Sequence, residues 1–179
     1  MFAGLVLLPC CSSSSSTHPC VSAADGTLLS VGGISFVQRS MAVLEYAQPS
    51  GPGIFAEITI SAATDACSES TSGAQSASTS EWRMLTFQIN HATAGSFCVA
   101  AFGSPATTSC AWVRVLVRAA GTPANKGPSQ FVDADSGTIT LTAVDRLHVA
   151  GSYDVHFTTG EQVAGSFDAP ACNMGSCAP

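Results

Sequence analysis

The chain has 179 residues, of which only 10% are charged, and its formal net charge is −6. That length allows one domain with a true core. Five arginines and one lysine, Lys126, are scattered rather than clustered, which excludes nucleic acid as a partner because phosphates require concentrated cations. Gly, Ala, Ser and Thr are abundant, and no stretch keeps a long helical period, so the expected class is all-β.

Met1 to Pro9, MFAGLVLLP, is apolar and too short to span a bilayer. It reads as the hydrophobic region of a secretion signal. The basic flank of such a signal is missing, so either the true start lies upstream of Met1 or the signal is a weak one. Cys10-Cys11 and a serine run, Ser12 to Ser16, follow. An apolar run ending at Cys with a polar tether behind it is similar to a bacterial lipoprotein signal. That likeness implies cleavage, acylation of the new N-terminal Cys and a membrane anchor. Pro9 sits badly beside a bond cut before Cys10, and cutting before Cys11 leaves six cysteines, an even number. Cys11 is therefore the expected lipidated residue and Cys10 the alternative. The organisation expected is a signal peptide over 1–10, a Ser-rich disordered tether over 11–24 and an all-β domain over 25–179.

Strand signals begin at Thr27. Thr27–Val31 and Ile34–Val37 flank Gly32-Gly33, a hairpin turn. Met41–Ala47 is a further apolar run, and Gln48–Gly53 is a Pro/Gly loop. Ile54–Ser61 alternates, with Ile54, Ala56, Ile58 and Ile60 on one face. Ala62–Ser80 is too polar for a core element and reads as a surface excursion anchored through a disulfide at Cys67. Trp82–Asn90 places Leu85, Phe87 and Ile89 on one face, with Trp82 and Met84 starting the other. Phe97–Phe102 and Ala111–Val117 read as two strands around Gly103-Ser104-Pro105. In the second, Val113, Val115 and Val117 oppose Arg114, Leu116 and Arg118. Ala119–Gln130 reads as a Gly/Pro loop.

The clearest pattern lies from Ser136 to Cys172. Ile139, Leu141 and Ala143 alternate with threonines, and two further alternating runs follow, around Val149–Phe157 and Val163–Ala169. The expected unit is a three-stranded antiparallel meander. It contains a repeat: Val149-Ala-Gly-Ser-Tyr-Asp154 recurs as Val163-Ala-Gly-Ser-Phe-Asp168. In each copy an inward Gly precedes an inward aromatic by two residues, as a close approach or a bulge requires. Asp154 and Asp168 point outward, where they form either a solvated face or a cation site. About eight to ten short strands, with no helical crossovers between them, predict a single antiparallel β-sandwich or β-barrel-like domain.

Eight cysteines lie at 10, 11, 20, 67, 98, 110, 172 and 177. Without a C-x2-C pair they read as disulfides formed in an oxidising compartment, not as a zinc set. Cys98 and Cys110 bracket the turn between two strands and are expected to pair across a hairpin. Cys172 and Cys177 read as a terminal disulfide clasp. A soft-metal site on these two sulfurs and Met174 is the alternative.

Gly137-Thr-Ile-Thr-Leu-Thr142, then Val149-Ala-Gly-Ser-Tyr-Asp154, then Gly165-Ser-Phe-Asp-Ala-Pro-Ala-Cys172 resembles a pattern of small uncharacterised lipoproteins of myxobacteria and related bacteria. Those chains close on G-T-V-T-L-T, V-S-G-S-F-D and G-S-F-x-A-P-x-C. Cys67 and Cys110 match cysteines of that pattern, whereas Cys20, Cys98 and Cys177 are additional. The resemblance covers roughly the last 40 residues. It implies a signal peptide, a Ser-rich tether and an all-β domain, and it implies no activity; the lipid anchor is expected in the bacterial outer membrane. The pairing carried forward is Cys98–Cys110, Cys67–Cys172 and Cys20–Cys177, with the Cys172–Cys177 clasp as alternative.

No G-x-S-x-G elbow, zinc motif or phosphate loop occurs. His148 and His156 share the outward parity of one predicted strand but lie far apart along it. Glu45, Glu57 and Asp65 do not amount to a catalytic pair by sequence alone. The expected function is a non-catalytic structural or binding domain without cofactor, tethered to the membrane, with a protein or glycan partner. A small hydrolase or isomerase working at a barrel mouth, and a metal carrier using the C-terminal Cys-x4-Cys, are the alternatives.

Overall fold

A computed structural model describes residues 22–23, 26–47, 54–63, 66–67, 81–104, 109–122, 127–145 and 148–172. The domain is all-β. Its strands are β1 (Ser22–Ala23), β2 (Leu28–Val31), β3 (Ile34–Val37), β4 (Ser40–Ala47), β5 (Ile54–Ser61), β6 (Trp82–Ile89), β7 (Gly95–Val99), β8 (Cys110–Arg118), β9 (Gln130–Val144), β10 (His148–Phe157) and β11 (Gln162–Pro170). Nine of them form one sheet in the order β1-β4-β5-β6-β8-β7-β9-β10-β11. The sheet curls until its ends meet. A parallel bridge joins Val43 of β4 to Ala171, just past β11, and the Cys172 N–H donates to the Val43 carbonyl at 2.7 Å. The result is a nearly closed barrel.

The lumen is filled by the inward residues of each strand. Ile58, Ile60, Leu85, Phe87, Ile89, Val113, Val115, Ile139, Leu141, Val155 and Phe157 are among the fully buried ones. Each such side chain contributes about 1.5–3 kcal/mol on leaving water. The β2–β3 hairpin lies across one end, with Leu29, Val31, Ile34 and Phe36 joining the same core. Gly32 and Gly33 form its turn with φ of 54° and 80°, which glycine supplies without strain. The Gly32 N–H donates to Glu161 Oε1 at 2.9 Å, and Arg83 Nη1 donates to the Ser35 carbonyl at 2.8 Å, so the cap is tied to both sides of the rim. The Thr159 hydroxyl and then the Gly32 amide hold the Glu161 carboxyl below the usual carboxylate range.

The meander is present as β9-β10-β11, and its repeat has a packing reason. In the β10–β11 register Gly151 faces Phe167 and Tyr153 faces Gly165, with Ser152 opposite Ser166 between them. Each copy's glycine thus makes room for the other copy's aromatic. A Cβ on Gly165 would meet the Tyr153 hydroxyl at 2.6 Å, and one on Gly151 would strike the Thr140 carbonyl and meet the Phe167 ring at 3.0 Å. The two rings lie nearly parallel, with centroids 6.4 Å apart, and Phe87 packs against Tyr153 at 4.9 Å and Phe167 at 5.7 Å.

Four expectations are corrected. First, β9 begins at Gln130 rather than near Ser136, so the end of the predicted loop is strand. Second, β7 and β8 do not form an antiparallel hairpin. They are a short parallel pair, Cys98 opposite Cys110 and Val99 opposite Ala111, because β7 turns away to pair with Thr138–Leu141 of β9. Cys98 and Cys110 are nevertheless disulfide-bonded, with Cα atoms 4.5 Å apart. Third, Phe102 is not in a strand; it lies in the turn closed by Ser104 N–H donating to the Ala101 carbonyl at 3.0 Å. Fourth, the alternative clasp of Cys172 with Cys177 is not made, because the Cys172 sulfur is bonded to Cys67, as the expected Cys67–Cys172 pairing has it, with Cα atoms 5.6 Å apart. Cys10, Cys11, Cys20 and Cys177 lie outside the described residues.

The Cys67–Cys172 bridge sits at the barrel seam. Both sulfurs are buried with Ala42 and Ala66, beside the Val43–Ala171 bridge. Its sequence separation is 105, against 12 for Cys98–Cys110. Loop-closure entropy then assigns about 4.7 kcal/mol to the first and about 3 kcal/mol to the second. In urea unfolding, the Cys67→Ser/Cys172→Ser variant is expected to lose more stability than Cys98→Ser/Cys110→Ser. Equal losses would show that the seam does not depend on its staple. Gly151→Ala is expected to cost about 1–3 kcal/mol, while Gly127→Ala, with nothing within 4 Å of the added carbon, stays within about 0.5 kcal/mol of the parent.

Candidate binding face

The outside of the β5-β6-β8-β9 wall carries the side chains that an all-β core does not require. Strand pairing sets them in rows. Glu57, Gln88 and Trp112 form one row; Thr59, Thr86, Arg114 and Asp133 form the next; Ser61, Met84, Leu116 and Phe131 form the third; Trp82 and Arg118 close the face. Both tryptophans of the chain are in these rows. The β5–β6 half is covered: Thr59, Ser61, Trp82, Met84 and Thr86 are all buried. Ala62 and Ala63 cross the edge of this half, where the Ser40 hydroxyl donates to the Ala63 carbonyl at 2.7 Å and the Ala62 N–H to the Arg83 carbonyl at 2.9 Å. The β8–β9 half is less covered: Trp112, Arg114, Leu116, Arg118 and Asp133 are half-buried and Phe131 is exposed.

At the centre of this half stands Arg114. Its Nε and Nη2 donate to the two carboxylate oxygens of Asp133 at 2.5 and 3.1 Å, a bidentate pair. Phe102 covers one side of the guanidinium at 3.7 Å and Phe131 packs on it at 4.2 Å. Trp112 extends the column, its ring 5.7 Å from that of Phe102. Phe102 and Phe131 remain 46% and 52% exposed. A guanidinium sandwiched by aromatic rings is a cation–π arrangement worth about 0.5–2 kcal/mol per contact.

The local backbone explains why these residues meet. In the β9–β10 ladder the register shifts between His156 and Phe157, so Ser136 faces His156 but Ala134 faces Phe157 and Asp135 is the extra residue. This bulge reverses the inside–outside alternation of β9. Ile139 is inward beyond it; Ala134 and Val132 are inward before it, which turns Asp133 and Phe131 outward. Gly137, with φ of 132°, lies so close to the β10 backbone at Asp154 and Val155 that no Cβ fits. Past Asp133 β8 and β9 separate, β7 fills the gap, and the β7–β8 turn delivers Phe102 onto the face. Sequence alternation had placed Arg114, Leu116 and Arg118 together but missed Phe131, Asp133 and Phe102. The signal that was present is the outward placement of both tryptophans and two arginines.

Glu57, at the edge of the face, has its carboxyl pushed above the usual range by burial. Gln88 Nε2, donating at 3.5 Å, and the charge of Arg118 oppose the shift. Arg118 also lies over the Trp82 ring at 5.8 Å.

The other groups singled out by sequence do not converge. Asp168 is bonded by His148 and Asp154 by Gln162, and in the ladder the two carboxylates lie four positions apart on opposite sides of Ser152–Ser166, roughly 14 Å. His156 is exposed on the same strand. Cys172, bonded to Cys67, is not a thiolate ligand here; Met174 and Cys177, like Glu45's side chain and Asp65, lie outside what is described. Among the described residues no three His, Cys, Asp or Glu side chains gather as a metal set. The two disulfides fit an extracytoplasmic protein. Compared with known proteins, the chain matches no family model, no curated protein and no solved structure.

Glu57 makes the stability of the face pH-dependent in a stated direction. Its folded pKa is raised, so the folded state holds the proton longer than the unfolded chain does. The Glu57 contribution to stability is therefore greatest below the ordinary glutamate pKa of about 4.3 and falls as pH rises from there through the raised value. Glu57→Gln is expected to remove this fall and to leave the protein at least as stable as the parent at neutral pH. Denaturation midpoints followed from pH 4 to 8 would refute this if the variant kept the parental slope.

Proposed function

We propose that the chain is a non-catalytic binding domain of an extracytoplasmic lipoprotein, held to the bacterial outer membrane through an acylated Cys11 and binding its partner through the outer β8–β9 face. The Phe102–Arg114–Phe131 sandwich carries this reading. Exposed aromatic rings packed on a paired guanidinium are the residue types that dominate binding energy at recognition surfaces. The filled lumen also supports it, because among the described residues the inward side chains of the barrel are almost all aliphatic or aromatic, unlike a ligand pocket with convergent polar groups.

The tether half of the proposal rests on the apolar run, Cys10-Cys11 and the serine tract. Mass spectrometry of the unreduced protein from membranes is expected to show a lipid-modified Cys11 as the first residue. A first residue other than Cys11 or Cys10 overturns the anchor. The binding half is tested with the full-length protein and isolated cell envelopes. The Phe102→Ala/Phe131→Ala variant is expected to keep its near-ultraviolet circular dichroism and to lose at least tenfold in envelope affinity, about 1.4 kcal/mol. Unchanged affinity would remove the face from the function.

A further inference from the structure

We infer that the ligand of the β8–β9 face is a neutral glycan, with its sugar rings laid against Phe102, Trp112 and Phe131. This inference rests on the binding role proposed above. Charge is the first argument. Arg114 is the cation at the centre of the face, and it is neutralised in bidentate fashion by Asp133. The two side chains are only 18% and 21% exposed. An anionic ligand would meet a guanidinium whose charge Asp133 already neutralises, with the Asp133 carboxylate beside it, an arrangement that disfavours a second anion. An uncharged ligand meets no such opposition.

Hydrogen-bonding capacity is the second argument. A guanidinium has five N–H donors, and Asp133 takes two of Arg114's. The pair therefore keeps unused donors and acceptor lone pairs together, beside the Phe102 and Phe131 rings. Hydroxyl groups, each both donor and acceptor, match such a mixed edge. The apolar C–H face of a sugar ring matches the electron-rich face of an aromatic one. A glycan presents both within one residue.

Size and shape are the third argument. The β5–β6 half of the wall is buried, so the less covered part is two strands wide, about 10 Å. That breadth accommodates one polymer strand lying across the wall. It is small for a stable protein interface, which needs about 800 Å² from each partner. The face has no walls of its own, so affinity grows with the number of sugars stacked and not with enclosure of a single one.

The test uses the full-length protein in detergent and three probes: hexasaccharides of β-1,4-linked glucose, of β-1,4-linked N-acetylglucosamine and of α-1,4-linked galacturonic acid. Binding is read by calorimetry and by tryptophan emission, to which Trp112 in the column responds. At least one neutral hexasaccharide is expected to saturate in the micromolar-to-millimolar range and to shift that emission. The Phe102→Ala/Phe131→Ala variant is expected to lose at least tenfold, and Phe102→Trp to retain binding. Tighter binding of the galacturonic acid probe overturns the charge argument and with it the proposal. If no neutral probe binds up to about 10 mM while the double variant still loses envelope affinity, the glycan class is wrong and the face belongs to a protein partner. If the double variant changes neither measurement, the face itself is not the binding surface and both readings fall.

Discussion

A sheet of this size has two edges, and the constraint on which the domain depends is how they are joined. Open edges expose unpaired amides and carbonyls that invite pairing with other chains. Here β4 and β11 run parallel and meet through one bridge, Val43 to Ala171. The seam is reinforced by means other than a ladder. The Asp168 N–H donates to Met41 Sδ at 3.1 Å, β1 pairs with Ser40 and Met41, and Cys67–Cys172 ties the seam to the segment after β5. Closure creates the lumen, and the lumen buries the inward residues of β5, β6, β8, β9 and β10. A covalent staple fits this place, since one parallel bridge supplies little hydrogen bonding against the entropy of joining chain ends more than a hundred residues apart.

The second constraint is the bulge at Asp135. A 15-residue strand with unbroken alternation would keep one face inward throughout and could not serve two neighbours at different angles. By reversing its parity, β9 pairs with β8 through Gln130–Asp133 and with β7 through Thr138–Leu141. The same reversal presents Asp133 to Arg114 and Phe131 to the far side of the guanidinium. The split between β8 and β9 that admits β7 also sets the β7–β8 turn above Trp112. The fold device and the candidate site are thus one feature: curvature obtained by an extra residue re-aims side chains, as bulges beside functional surfaces do.

Much of the architecture was legible because period 2 is a strong signal where one face is buried. The hairpin at Gly32-Gly33, the inward sets of β5, β6 and β8, and the final meander follow from alternation and turn residues alone. What was not legible has physical reasons. The parallel β7–β8 pair depends on where β9 lies, a contact more than thirty residues distant in sequence. The start of β9 was hidden because its bulge breaks the alternation at the point where a reader would extend it, so Asp133-Ala-Asp-Ser136 resembles a loop. The partner of Cys172 was ambiguous because a nearby cysteine is entropically favoured in an unfolded chain, whereas the closed seam brings Cys67 to within 5.6 Å. The binding face required three segments, the β7–β8 turn, β8 and early β9, that no local pattern links.

Stability alone does not account for the Phe102–Arg114–Phe131 sandwich. A surface ion pair contributes about 0–1 kcal/mol, and polar residues at 102 and 131 would leave the Arg114–Asp133 pair intact. Two half-exposed phenylalanines retain much of their apolar surface in water, which carries a solubility cost that soluble domains avoid in contiguous patches. Where the chain needs burial it achieves it: the aromatic rings of Phe87, Tyr153 and Phe167 are almost fully enclosed. The face differs from that core in leaving its rings accessible. Pairing Arg114 with Asp133 neutralises the charge at the centre of the face, where it would otherwise select anions. That combination favours a ligand that is flat, apolar on its faces and hydroxylated at its edges.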